Sequence, residues 1–278
     1  MVLQNLQGKV ALITGVTSGN GRTLTRNMLR RGAKVVGSGR RAGLGEEVAA
    51  DLGGLAANYH FVKGDVTSVD SCREMVDATV ERFGRLDILV NNAGVLGNPG
   101  IVDSHEATEE WWDSIIDTNL KGAFFCARFA LAQMVEQRSG VIINVSSING
   151  ATSPIARMAA YNASKAGLVQ LTRTQAIEYA DRGIRSIAVI LGGVDGDTGT
   201  QAREALTRFV KGADAVMRQE DSKDVVMPSD QVADAIATLA SDDCSQITGT
   251  EVAVDKGVTA GALNSTFIYM TASGTWQL

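Results

Sequence analysis

Tyr161 and Lys165 stand four residues apart, a spacing that puts both side chains on one face of a helix. A free phenol titrates near about 10 and is a poor base at neutral pH. An ammonium beside it favours the phenolate and lowers that value toward the working range. Such a pair can take a proton from an alcohol or return one to a developing alkoxide. Ser147, fourteen residues before Tyr161, supplies a hydroxyl able to orient a substrate oxygen. It ends an apolar run together with Ser146, and strand alternation turns only one of the two into a cleft.

A second constellation lies near the N-terminus. The run Val10–Thr14 leads into Gly15-Val16-Thr17-Ser18-Gly19-Asn20-Gly21, and a helical pattern follows at once. Glycines there permit a tight turn and a close backbone approach to a pyrophosphate. The helix start offers unpaired N–H groups at the positive end of its dipole.

Both constellations need a scaffold, and the hydrophobic pattern supplies one. Strands are expected at Val10–Thr14, Lys34–Ser38, Tyr59–Val62, Leu86–Asn91, Gly140–Ser146, Ser186–Leu191 and Glu251–Asp255. Their mostly continuous apolar character suits strands covered on both faces. Helices are expected at Gly21–Arg31, Ser68–Phe83, Glu109–Gln137, Tyr161–Ala180 and Ser229–Ser241, with Leu168, Leu171 and Ile177 sharing one apolar face. The alternation predicts an α/β fold. It is a single Rossmann-like doubly wound domain over residues 1–278, with about seven parallel strands and helices on both faces. Residues 192–228, rich in Gly, Asp and charge after a buried strand, read as a substrate lid. The tail at 262–278, with Phe267, Ile268, Tyr269, Met270 and Trp276, is expected to dock on its own or a neighbouring subunit.

The glycine spacing is G-x-x-x-G-x-G rather than the commoner G-x-G-x-x-G. In this the chain resembles the short-chain dehydrogenase/reductase family, whose motif is TGxxxGxG. The likeness runs nearly the whole length: Gly64-Asp65-Val66, Asn91-Asn92-Ala93-Gly94, Asn119 within Thr118–Gly122, Ser146-Ser147 and Tyr161-Asn162-Ala163-Ser164-Lys165. The resemblance implies an NAD(P)(H)-dependent oxidoreductase that interconverts a ketone or aldehyde and an alcohol by hydride transfer. Tyr161 is then the general acid/base, assisted by Lys165, Ser147 and Asn119. Ser147 is preferred to Ser146 because the family uses the second serine of such a pair. Asn119 would kink its helix and anchor a water between Lys165 and solvent.

The same resemblance implies cofactor contacts from Gly15, Thr17, Ser18, Gly19, Asn20 and Gly21, where Asn20 replaces the family's usual isoleucine. Asp65, Val66, Asn92, Ala93, Gly94, Tyr161, Lys165, Gly193 and Val194 complete the set, with Lys165 on the nicotinamide ribose. Gly39 occupies the usual acidic position at the end of the second strand, and Arg40 follows it. An arginine there suits the 2′-phosphate, so NADP(H) is favoured over NAD(H). Candidate substrate contacts are Leu96, Ser147, Asn149 and Arg157. A homotetramer or homodimer is implied, and the reaction needs no metal.

Composition narrows the alternatives. The net charge of −5 disfavours nucleic-acid or anionic-membrane surfaces. Two histidines leave little material for a metal cluster or a Ser/His/Asp triad. Cys72, Cys126 and Cys244 are spaced as buried thiols rather than a disulfide framework. No basic, apolar leader and no apolar run of about 20 residues is visible, so a cytoplasmic enzyme of a small-molecule carbonyl or alcohol is expected. The rival readings are a same-fold epimerase or lyase, and a non-catalytic cofactor-sensing regulator.

Overall fold

Seven strands form one parallel sheet in the computed structural model, which describes residues 4–152, 154–195 and 226–260. They are β1 (Val10–Thr14), β2 (Lys34–Gly39), β3 (Tyr59–Lys63), β4 (Ile88–Asn91), β5 (Gly140–Ser147), β6 (Ile184–Leu191) and β7 (Thr250–Val254). The spatial order 3-2-1-4-5-6-7 makes the fold doubly wound, with the direction of winding reversing between β1 and β4. All of these boundaries lie within two residues of those expected from the sequence.

Helices cover both faces. On one face α1 (Gly19–Arg30) and α8 (Ser229–Ala240) bury Leu24, Met28, Val232 and Ile236 against Ile13, Val35 and Ile143. On the other, α3 (Val69–Phe83) and α5 (Gly122–Gln137) bury Met75, Cys126 and Met134 against Leu12, Val36 and Ile142. Each such large side chain contributes about 1.5–3 kcal/mol on burial, so both layers are firmly held beneath the loops that follow the strands.

Three departures from the sequence reading have physical causes. The span Glu109–Gln137 is not one helix: α4 (Glu109–Ile116) passes through a π-turn at Asp117–Lys121 before α5 begins. A further helix, α2 (Ala42–Asp51), was hidden by its glycines, which weaken helical patterning. Gly45 is needed there because any Cβ would strike the Phe61 ring at 2.4 Å. Third, α7 (Ala159–Tyr179), which follows the one-turn α6 (Ile148–Ala151), turns Leu168, Val169, Thr172 and Ala176 to the core and leaves Ile177 81 % exposed, so Ile177 does not share the face expected of it.

Of the expected lid, only the ends fall among the described residues. Val194 bridges Met227, and the Asp195 carboxylate accepts from the Ser229 amide at 2.7 Å. The tail at 262–278 lies outside the described residues. Among the described residues no helix is long and apolar enough to cross a membrane.

Candidate active site

The reversal between β1 and β4 opens a crevice at the carboxyl ends of the strands, and the two adjoining loops are laced together across it. Thr14 Oγ1 accepts from the amides of Asn92 (3.1 Å) and Ala93 (3.0 Å). Asn92 Nδ2 returns bonds to the carbonyls of Thr14 (2.9 Å) and Gly15 (3.2 Å). Gly15 takes a left-handed φ of 75°, and a Cβ on it would lie 2.9 Å from Ala93 Cα. This exchange explains why an Asn-Asn-Ala-Gly run must face the glycine loop. Thr14 was not among the expected site residues, although its place directly before the glycines was the available signal.

The N-terminus of α1 is built for an anion. Ser18 at its cap makes no side-chain hydrogen bond, and no acidic residue stands in the first turn. No side chain of the cap or first turn therefore competes for the N–H groups that a helix start offers to an anion. Gly21 lies so close to Gly15 that a Cβ would stand 2.3 Å from the Gly15 carbonyl oxygen. Asn20 keeps a buried Oδ1 that has no donor among the described residues. A cradle shaped by absent side chains and one unpaired acceptor fit a dinucleotide.

At the far end of the cradle the Thr17 methyl covers Gly39, where a Cβ would meet it at 2.8 Å. Arg40 and Arg41 are both exposed, and Arg41 Nη2 donates to Thr17 Oγ1 at 3.2 Å. Sequence reasoning selected Arg40 and passed over Arg41, because adjacency alone could not tell which of the two turns back over the loop. Asp65 folds into an Asx turn, its Oδ1 accepting from the amide and hydroxyl of Thr67. Val66 packs against Gly122, immediately after the π-turn.

The second constellation sits at the other side of the crevice. Tyr161 lies in the first turn of α7, and its phenol stands beside Ser147 at the end of β5. Ser146 points the opposite way, donating to the Lys165 carbonyl at 2.8 Å. Buried Lys165 sends its Nζ to the Val145 carbonyl at 2.8 Å, and to 5.7 Å from the Tyr161 ring centroid. Asn119, within the π-turn, accepts from the Val95 amide at 2.8 Å and donates to Val95 O (3.0 Å) and Ser164 Oγ (3.1 Å). Ser164, itself unforeseen, donates onward to the Tyr161 carbonyl at 2.8 Å. A Cβ on Gly94 would approach both Lys165 Nζ and Asn119 Oδ1 at about 3.5 Å, which places both groups beside the same wall.

Burial sets the titration of the pair. It raises Tyr161 above the ordinary phenol value, with the neighbouring Ser147 hydroxyl pulling partly the other way. The downward shift expected from a neighbouring ammonium is absent, because Lys165 is itself desolvated and lowered from 10.5 to about 8. Between these two values the unfolded chain holds a proton on Lys165 that the folded protein has released. The folded state is therefore penalised below pH 8, and the penalty fades as pH climbs toward 10.5. Thermal melts of the parent and Lys165→Met across this window should show the parent gaining on the variant as pH rises.

The remaining candidates divide. Leu96 is buried with Ile101 and Met158 against Tyr161, and Asn149 is buried with its Nδ2 at 3.9 Å from Met158 Sδ. Arg157 pairs with Asp103 at 2.9 Å. Gly193 and Val194 are tied to Met227. Among the described residues no three His, Cys, Asp or Glu side chains converge to hold a metal ion. Cys72 and Cys126 are fully buried and touch each other, and Cys244 is half-buried; all three are free thiols.

Comparison with known proteins gives this arrangement its family. The family model described as short chain dehydrogenase matches residues 9–207. A short chain dehydrogenase/reductase of Aspergillus oryzae is 38% identical over 258 residues, covering 91% of this chain and 96% of the relative. The cis-4-hydroxycyclohexanecarboxylate dehydrogenase of Sinomonas cyclohexanicum is 38% identical over 252 residues, covering 91% and 97%. Among solved structures, levodione reductase superposes with a TM-score of 0.84 at 31% identity, covering 91% of this chain and 98% of that one. A sheet of order 3-2-1-4-5-6-7, a laced glycine crevice and relatives matched almost end to end lead to one conclusion: the chain belongs to the short chain dehydrogenase family of oxidoreductases, which act on CH–OH and C=O groups.

Proposed function

We propose that the protein interconverts a ketone or aldehyde and the matching alcohol, with Tyr161 as general acid/base and NADP(H) as the preferred cofactor. The observation that carries this reading is the convergence of Ser147, Tyr161 and Lys165 beside a dinucleotide-shaped cradle. A bound nicotinamide would give or take the hydride. The chain's own residues handle the proton. Ser147 orients the substrate oxygen toward the Tyr161 hydroxyl, and the raised value of that phenol keeps it protonated at neutral pH, as reduction requires. Alcohol oxidation needs the phenolate, so it gains from higher pH. Asn119 anchors the π-turn beside Lys165 and so keeps a route open for replacing the proton.

Preference for the 2′-phosphate rests on Gly39, Arg40 and Arg41. No carboxylate stands at the end of β2, the Thr17 methyl fills the place one would need, and two guanidiniums follow. Self-association is supported by Trp112 and Phe124, 42 % and 45 % exposed, and by Ile177, whose side chains leave apolar surface on α4, α5 and α7. Secondary alcohols and ketones are the class to try first, given relatives named as a hydroxycyclohexanecarboxylate dehydrogenase, a 3-oxoacyl-[acyl-carrier-protein] reductase and a levodione reductase. The test is oxidation of NADPH and of NADH followed separately over a panel of ketones and aldehydes. Turnover with NADPH is the expected result. The double variant Arg40→Ala/Arg41→Ala should weaken NADPH binding by about tenfold or more, the value of one or two charge-assisted hydrogen bonds, and leave NADH binding as it was. Equal losses for both would remove the 2′-phosphate reading.

A further inference from the structure

We propose that Arg157 and Asp103 are positioning residues for Tyr161, clamping the uncapped first turn of α7 to the loop between β4 and α4. The proposal rests on the reading of Tyr161 as acid/base and extends it to two residues outside the Ser147, Tyr161, Lys165 and Asn119 group. Tyr161 is the third residue of α7, where backbone N–H groups lack intrahelical partners and helices fray. Two helices of this chain are secured at that point by side chains, Ser68 capping α3 and Thr108 capping α4. The cap position of α7 is Met158, which has no side-chain acceptor to offer, and no acidic residue occupies the first turn.

What stands in for the cap comes from outside the helix. The residue before Met158, Arg157, is held at a left-handed φ of 67°, a conformation costly for a non-glycine residue unless its surroundings enforce it. Three bonds enforce it. The Val102 amide donates to the Arg157 carbonyl at 2.9 Å, Arg157 Nε donates to Asp103 Oδ1 at 2.9 Å, and Asn162 Nδ2 donates to the Ile155 carbonyl at 2.8 Å. Asp103 does a second service. A cation at a helix N-terminus opposes the dipole, and its carboxylate offsets the Arg157 charge there. Under the clamp, Leu96 and Ile101 from one loop meet Ile155 and Met158 from the other, and this apolar wall carries the Tyr161 ring. Loosening the clamp frees the wall and the turn together.

The pair is half-exposed, so its effect is several-fold rather than total. Arg157→Gly and Asp103→Ala, made in the full chain, are each expected to lower kcat by about three- to tenfold with NADPH affinity kept. Glycine removes the pair while accepting the backbone angle, so Arg157→Gly isolates the clamp from strain. The double variant should lose no more than either single one. Amide hydrogen exchange should rise at Asn162, whose N–H makes the first bond of α7 to the Met158 carbonyl at 2.8 Å. The exchanged pair Asp103→Arg/Arg157→Asp should restore much of both. Unchanged exchange at Asn162 in both single variants, additive losses, or a rise spread evenly over the chain would each overturn the proposal. Exchange is read without turnover, so failure of the clamp is distinguishable from failure of Tyr161 as acid/base, which appears only as a Tyr161→Phe variant with parental activity.

Discussion

Tyr161→Phe is expected to cut turnover by about two to four orders of magnitude while leaving dinucleotide affinity and thermal stability close to those of the parent. The ring packs against Leu96, Ile101 and Met158 and the phenol stands beside Ser147, so phenylalanine keeps the packing and deletes only the proton carrier. Steady-state rates on any accepted carbonyl, read beside dinucleotide titration by fluorescence, check it. Retained turnover would discard the acid/base assignment and leave the proton to another group. A fall in affinity matching the fall in rate would make Tyr161 a binding residue instead. The variant also separates the enzyme from a cofactor-sensing regulator, whose dinucleotide response would not notice the loss of a proton.

Gly21→Ala carries the second large effect, and its cause is steric. A single methyl would stand 2.3 Å from the Gly15 carbonyl oxygen and 2.7 Å from Asn92 Nδ2, and both belong to the lacing that joins the loops after β1 and β4. The first is backbone, and the second is a side-chain amide held by two hydrogen bonds to the Thr14 and Gly15 carbonyls. The start of α1 must therefore move off the glycine loop, at a cost of about 1–3 kcal/mol for overpacking. The displaced N–H groups then no longer converge on one anion. Dinucleotide binding should be lost and the melting temperature should fall by several degrees, measured by titration and by thermal unfolding. Gly19→Ala makes the control, since a Cβ there meets nothing within 4 Å and only the φ of 51° is penalised. Equal damage from both would mean that loop conformation, not the close approach at Gly21, governs the site.

How far the sequence could be read depends on the range of the contact concerned. The sheet was legible because strands buried on both faces carry continuous apolar runs, as in Val10–Ile13 of β1, Ile88–Val90 of β4, Val141–Ile143 of β5 and Ile187–Leu191 of β6. The glycine loop and the Tyr161–Lys165 spacing were legible because each is local, set by turn geometry or helical pitch. What escaped were partners brought together by the fold. Nothing in the local pattern says that Thr14 will accept from residues 92 and 93, that Arg41 rather than Arg40 will reach Thr17, or that Arg157 will be spent on Asp103. The titration of Tyr161 was misjudged for the same reason. Proximity of a lysine is visible in sequence, but the depth to which both groups are desolvated is not.

The π-turn at Asp117–Lys121 works as a phase shifter. A helix advances about 100° per residue, so one extra residue in a turn rotates everything beyond it relative to everything before. Ahead of the turn, Trp111 and Ile115 aim at Ala160 and the ring of Tyr161; beyond it, Cys126, Ala127, Ala130 and Met134 aim at the underside of the sheet. One rod thereby serves two cores whose directions a regular helix could not reconcile, and Asn119 stands at the joint between them. The helical spacing of residues 109–137 gives no sign of this joint, yet it is where the chain turns toward its chemistry.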